Sequence, residues 1–251
     1  MANITDLPED ILLDVLSLVP ARELVRSCRL VCALWRHLAD LGTVWKRKCR
    51  RERYGLNAPE RNIHDWKTFY FLCSMKRNLI RNPCGEEGFG FWDPVQNERD
   101  EWRIEELPGV HKNHFPHQHV RKYFVTSQRP SVKSQLITLK GEGYWDQLMD
   151  ETKPNIVVRD WYHTRFHCGC PCRYQVCVEL LSENRRVLQE FRPKDVIVEQ
   201  WTDGRWHEVS YTFHQYPPGV RHICFKHGGQ GWYGLRLTNS SIVIDPETDG
   251  P

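Results

Sequence analysis

The sequence has no stretch of 18 uncharged apolar residues, which excludes a membrane-spanning helix and membrane insertion. Its first ten residues, Met1–Asp10, hold acidic side chains and no Lys or Arg, so the basic region of a secretory signal is missing. That absence predicts a cytoplasmic address, where the ten cysteines are expected as free thiols. There the Asn239-Ser240-Ser241 sequon is expected to stay unglycosylated. Internal repeats and low-complexity tracts are also lacking. No G-x-S-x-G, P-loop, H-E-x-x-H or Cys/His catalytic signature occurs. The carboxylate pairs Glu86-Glu87 and Glu105-Glu106 are adjacent, and neighbours on a strand face opposite ways. The expectation is a non-catalytic protein without cofactor or metal.

What the sequence does hold is apolar and aromatic material. Of 251 residues, 40% are hydrophobic and 12% aromatic, including ten Trp, enough for a folded chain despite a mean hydropathy of −0.61. Charge is divided unevenly. Residues 1–81 carry 15 Lys/Arg against 9 Asp/Glu, and residues 82–251 carry 20 against 23. A basic first third and a slightly acidic remainder predict two units with different partners.

Residues 7–53 read as helices. Asp6 and Glu9 have the spacing of an N-cap with its reciprocal acid, and Pro20 must break the first helix. Leu24, Cys28, Val31, Cys32, Trp35 and Leu38 then recur every three or four residues as a second helical face. A break at Asp40–Gly42 precedes a short basic helix from Val44 and Trp45. Residues 54–62 read as a connector, and Asp65–Leu79 as a helix ended by Asn82-Pro83.

Beyond residue 82 the period changes to two. Tyr174, Val176, Val178 and Leu180 alternate with polar neighbours, as do Val209, Tyr211 and Phe213. Further runs at Lys122–Thr126, Leu136–Leu139, Ile156–Trp161, Val196–Trp201 and Ile242–Ile244 bring the expectation to eight or more strands. An antiparallel sandwich or jelly roll follows.

The first helix poses a burial problem. From Ile11 to Val19 only Asp14 and Ser17 are polar, so the helix is apolar on most sides. A unit of about 50 residues cannot enclose such a helix completely. Its surplus apolar side chains must pack on the second unit or on another chain.

Leu7-Pro8, Ile11-Leu12, Val15-Leu16, Val19-Pro20, Leu24, Cys28-Arg29-Leu30-Val31-Cys32, Trp35 and Trp45 together resemble the F-box. The resemblance implies a three-helix unit (1–53) that docks the Skp-type adaptor of a cullin–RING ubiquitin ligase, followed by a linker helix (54–81). Carried onto this sequence, the adaptor-binding positions are Leu7, Pro8, Ile11, Leu12, Val15, Leu16, Pro20, Leu24, Cys28, Val31, Cys32, Trp35, Leu38 and Trp45. Leu12, Leu16 and Trp35 are expected as anchors, and Leu16→Asp is expected to abolish docking without unfolding the second unit.

Residues 82–251 are similar to the F-box-associated (FBA) domain of the sugar-recognising F-box family. The matching stretches include Lys122-Tyr123-Phe124-Val125-Thr126-Ser127, Gly141-Glu142-Gly143-Tyr144-Trp145, Arg159-Asp160-Trp161, Tyr216-Pro217-Pro218-Gly219 and Gly231-Trp232-Tyr233-Gly234. The implied fold class is an α+β multidomain chain with a C-terminal, jelly-roll-like β-sandwich. Glycan-binding relatives stack aromatic side chains on the core of high-mannose N-glycans. This sequence departs from them twice: Gln128 stands where an aromatic is expected, and only Gln230 separates Gly229 from Gly231, so an aromatic loop looks deleted. Gln128, Gln230, Trp232 and Tyr233 are the candidate substrate or glycan contacts. The alternative for Trp232 and Tyr233 is a structural place in the last strands.

Three other constellations invite function. His167, Cys168, Cys170, Cys172 and Cys177 offer zinc ligands, but C-x-C-x-C is crowded and lacks a distant second pair. His111, His114, His117 and His119 flank Pro116 and read as a mobile, solvated loop. Six basic residues lie within Lys46–Arg53, but a helix spreads them round its axis, which speaks against a nucleic-acid face. The expected function is therefore a substrate-recognition subunit of a Skp–cullin–F-box ubiquitin ligase, partnered by adaptor, cullin, RING subunit and protein or glycoprotein substrates. The alternatives are a receptor for high-mannose glycoproteins in ER-associated degradation and a ligase-independent lectin-like or chaperone-like binder.

Overall fold

The computed structural model describes residues 4, 7–54, 63–94, 102–107, 115–164, 172–198, 205–232 and 234–246. They divide into two compact units, Met1–Lys76 and Arg77–Pro251.

The first unit is helical: α1 (Glu9–Leu18), α2 (Ala21–Arg26), a 3₁₀ turn (Cys28–Leu30), α3 (Ala33–Asp40), α4 (Gly42–Arg51) and α5 (Trp66–Met75). α1 starts behind Pro8, with no side-chain cap, and Asp6 falls outside the described residues. Glu9 and Asp10 instead place negative charge at the helix's positive end. Pro20 forces Val19 into the extended region and then opens α2. The expected single helix over Leu24–Leu38 is divided, because Cys32 is extended (φ −160°, ψ 172°) and restarts the chain as α3. Leu12, Leu13, Leu16, Leu24, Leu38, Val44, Trp45 and Cys49 form the core.

The expected linker 54–81 splits in two. Tyr70 and Phe71 of α5 pack their rings 5.3 and 5.2 Å from Trp45, and Tyr70 Oη donates to Glu52, so α5 belongs to the helical unit. Asp65 caps α5, accepting from Lys67 and Thr68 N–H. Beyond Lys76 the chain is clasped by the second unit. Leu79 N–H donates to Ile242 O (2.8 Å), Asn78 Nδ2 to Ser240 O, and Arg81 exchanges two hydrogen bonds with the Gln135 side chain.

The second unit is an antiparallel sandwich. Its strands are β1 (Asp93–Pro94), β2 (Arg103–Glu106), β3 (Lys122–Val125), β4 (Ser131–Thr138), β5 (Asn155–His163), β6 (Cys172–Leu181), β7 (Val187–Phe191), β8 (Val196–Val198), β9 (His207–Phe213), β10 (His222–Gln230) and β11 (Arg236–Asp245). One sheet runs β1-β4-β10-β6-β7, with β8 also paired to β6; the other runs β2-β3-β11-β5-β9. Ile223, Phe225 and His227 point inward at alternate positions of β10, as do Ile242 and Ile244 on β11. Gly228 and Gly229 let β10 lie this close to its neighbours: a Cβ on either would sit 1.9 Å from the carbonyl oxygen of Ser131 or Arg173.

The inter-sheet core holds charge. Asp160 accepts from Tyr174 Oη (2.7 Å), His227 Nδ1 (2.8 Å) and Ser240 Oγ (2.8 Å). Burial would raise its pKa, but His227 and these donors bring it below the usual carboxylate value. Burial pushes His227 down to about 4. Lys133 is buried beside them with no hydrogen-bond acceptor; its Nζ lies 3.1 Å from the Trp92 ring centroid and 3.7 Å from that of Phe124. Burial holds this amine well below its ordinary value.

Candidate functional site

Two surfaces stand out, one on each unit. On the helical unit, Leu7, Ile11, Val15 and Leu18 recur every three or four residues, so they share one stripe of α1 and its entry. All four are exposed, as are Leu30, Val31 and Leu34 around the 3₁₀ turn; Leu18, Leu30 and Val31 reach 66%, 74% and 61%. The polar side of α1 is tied down instead. Arg47 on α4 donates to Asp14 Oδ1 (2.9 Å) and Asp10 Oδ1 (3.1 Å), and Arg51 lies 3.5 Å from Asp14. Lys46 sits over Trp66 and Lys48 is buried, so the basic run Lys46–Arg53 is largely engaged within the unit.

On the sandwich, a cleft of about 620 Å³ is lined by Arg103, Thr126, Ser127, Gln128, Arg129, Trp232 and Gly234. Arg103 opens β2, residues 126–129 follow β3, and Trp232 and Gly234 lie between β10 and β11, so the described walls come from one end of the sandwich. The floor is hydrogen-bonded: Leu235 N–H donates to Thr126 Oγ1 (2.9 Å), and Thr126 N–H to Leu235 O (2.9 Å). Ser127 Oγ accepts from Arg129 N–H (3.1 Å), which shapes the lip. Gly234 has φ +82°, and a Cβ there would lie 2.4 Å from Val125 Cγ1, so the turn depends on glycine. Trp232 is 58% exposed at the rim.

Residues 4–51 match the F-box-like family and residues 70–244 the F-box associated region. The chain belongs to the F-box proteins that carry an F-box associated (FBA) region. It is 53% identical to F-box only protein 6 of Bos taurus over 97% of this chain and 94% of that one. It is 51% identical to F-box only protein 44 of Homo sapiens over 98% of each. F-box only protein 2 of Bos taurus is 47% identical over 98% of this chain and 85% of that one.

Within the F-box unit the sequence-predicted positions separate into two groups. Leu12, Leu16, Leu24, Leu38 and Trp45 are buried in the unit's own core, and Trp45 Nε1 donates to Ala39 O. Leu16→Asp would put a charge into that core, so its expected loss of docking would come from unfolding of the F-box unit rather than from a lost surface contact. Leu7, Pro8, Ile11, Val15, Pro20 and Val31 are exposed, while Cys28, Cys32 and Trp35 are half-buried. Leu18, Leu30 and Leu34 are exposed positions that the sequence reading did not select. The spacing of Leu7, Ile11 and Val15 already pointed to Leu18 as their next neighbour on the helix.

In the FBA unit, Gln128 and Trp232 come together across one cleft. Gln230 ends β10 and is half-buried, and Tyr233 lies outside the described residues. Trp232 is not a strand residue; it projects from the turn. Arg103 and Arg129 complete the lining, and Arg103 carried no motif that could have announced it. Cys172 and Cys177 lie on β6, while His167, Cys168 and Cys170 fall outside the described residues. Cys177, Glu179 and Glu190 approach one another within 4.8 Å, but Lys226 Nζ donates to both Glu179 oxygens, at 3.0 and 2.9 Å. The Lys226 ammonium therefore already occupies the Glu179 carboxylate. Of the four His, His111 and His114 fall outside the described residues. His117 and His119 are exposed, but the segment is not a free loop, since Phe115 is buried against Trp161 and Trp206. Among the described residues, eight cysteines are free thiols. No described helix is long and apolar enough to cross a membrane.

Proposed function

We propose that this chain is the cytoplasmic substrate-recognition subunit of a Skp–cullin–F-box ubiquitin ligase. The F-box unit docks a Skp-type adaptor, which brings the cullin and RING subunits, and the sandwich holds the protein to be ubiquitinated for degradation. The observation that carries this reading is the exposed stripe Leu7, Ile11, Val15 and Leu18 with its neighbours Leu30, Val31 and Leu34. Burying one such side chain contributes about 1.5–3 kcal/mol, so the seven together can offset the cost of association. The chain's own role is positional. A bound substrate presents its lysines at high effective concentration to the conjugating enzyme, whose chemistry belongs to the partners.

The double substitution Ile11→Asp with Leu18→Asp tests this. Co-expressed with a Skp-type adaptor, the variant should lose co-purification at least ~100-fold while unfolding at the same temperature as the parent, since both side chains face solvent. Undiminished co-purification would refute the reading and favour the ligase-independent binder. A second reading, a receptor for high-mannose glycoproteins in ER-associated degradation, is favoured by Trp232. An exposed indole at a cleft rim suits the apolar C–H face of a pyranose.

A further inference from the structure

We infer that the cleft at the end of the sandwich takes an oxyanion carried on a peptide segment, a carboxylate or a phosphate, held by Arg103 and Arg129 beside the Trp232 indole. This deepens the substrate-receptor reading and rests on it for the claim that the occupant is a substrate.

Charge supplies the first argument. Among the described residues no acidic side chain lines the cleft, and the charged groups there are the two arginines. Neither makes an ion pair with any described residue. Other cations of the same unit are held: Arg77 and Arg81 by Glu142, Arg221 by Asp150, Lys226 by Glu179. Residues 82–251 carry more Asp and Glu than Lys and Arg, so two unpaired arginines facing one cavity run against the unit's own balance. Arg236, level with Arg103 on the far side of Val125, is engaged over the Tyr123 ring at 5.0 Å.

Geometry supplies the second. A guanidinium presents a planar fork that matches the two oxygens of a carboxylate or phosphate. Arg129 is not on a loose loop: its N–H donates to Ser127 Oγ, and its carbonyl accepts from Ser131 Oγ (3.0 Å). Arg103 stands on a strand in register with Val125, whose Cγ1 is the atom that Gly234 must clear. The backbone that carries both arginines is therefore fixed, and binding has to order only their side chains. Gln128 and Ser127 add neutral hydrogen-bonding groups, and Trp232 an aromatic face for the residue next to the anion.

The test uses the full chain and fluorescein-labelled peptide libraries identical except at one fixed position, which holds Glu, phosphoserine or Gln. The Glu or phosphoserine library should bind at least about tenfold tighter than the Gln library, with affinity falling as salt is raised. Which of the two leads identifies the source of the oxyanion. Arg103→Gln with Arg129→Gln should erase the preference while adaptor co-purification is retained, because neither residue lies in the F-box unit. Loss of co-purification by the unsubstituted chain would fail the receptor reading instead, leaving the peptide result to stand or fall alone. Equal binding of the three libraries overturns the proposal. So does capture of a high-mannose glycoprotein that depends on its sugar and survives the double substitution.

Discussion

Each unit buries a lysine, and the two amines meet opposite surroundings. Lys48 in the F-box unit reaches the open end of α1, donating to Val19 O (2.9 Å) and Ser17 O (3.4 Å), with Glu52 3.5 Å away. It satisfies helix carbonyls that have no partner within the helix, and its charge complements the helix's negative end. Lys133 in the sandwich has ring faces around it and no acceptor. Rings attract a cation, but burial opposes the charged form and holds this amine well below its ordinary value. Burial alone therefore says little about a charged group; the atoms facing it decide.

The same substitution should act with opposite sign at the two sites. Lys48→Met leaves two carbonyls and a carboxylate without their cation, and should cost the F-box unit about 3 kcal/mol. Urea unfolding followed by hydrogen exchange at α4 amides would read it, and an unchanged midpoint would break the comparison. The next largest effect concerns acid. Between 6.5 and about 4, the unfolded sandwich binds a proton at His227 that the folded one does not. Its stability should fall by about 2–3 kcal/mol as pH drops through that window. Asp160, held below its ordinary value, adds its loss only at lower pH and so does not reverse the slope. His227→Asn keeps a donor for Asp160 and should flatten the decline; a decline as steep as the parent's would assign it to other groups. The smallest effect is the most pointed. Lys133→Met should raise the sandwich's stability by about 1 kcal/mol, near 2–4 °C in Tm, because the amine has no acceptor to lose. A destabilised variant would mean that the rings hold a charged amine after all.

Much of this organisation is legible in the sequence. The change from period 3.6 to period two near residue 82 divides helices from strands, and the alternation of Tyr174 to Leu180 and Val209 to Phe213 finds β6 and β9. β10 escapes the same reading because its inward positions include a histidine and its end is Gly228-Gly229. Those glycines reflect crowding by β4 and β6, which pattern cannot show. The F-box stripe is half legible. With apolar residues on most sides of α1, spacing alone could not tell the buried Leu12 and Leu16 from the exposed Ile11 and Val15. At the cleft, Gln128 and Trp232 lie about a hundred residues apart and were each found from a family pattern, whereas Arg103 became a neighbour only through the pairing of β2 with β3.

The strand order also bears on how the chain is made. β10 and β11 each lie between two neighbours in the interior of their sheets, yet they are the last strands in the sequence. Neither sheet can close before they are synthesised, while the helices up to residue 76 contact one another locally. At ~5–20 residues per second, the greasy stripe of α1 would be on display for tens of seconds beside an unfinished sandwich. A nascent chain arrested after β9 should therefore already bind adaptor while its cleft does not exist, and the order of translation would set the order in which the two surfaces come into use.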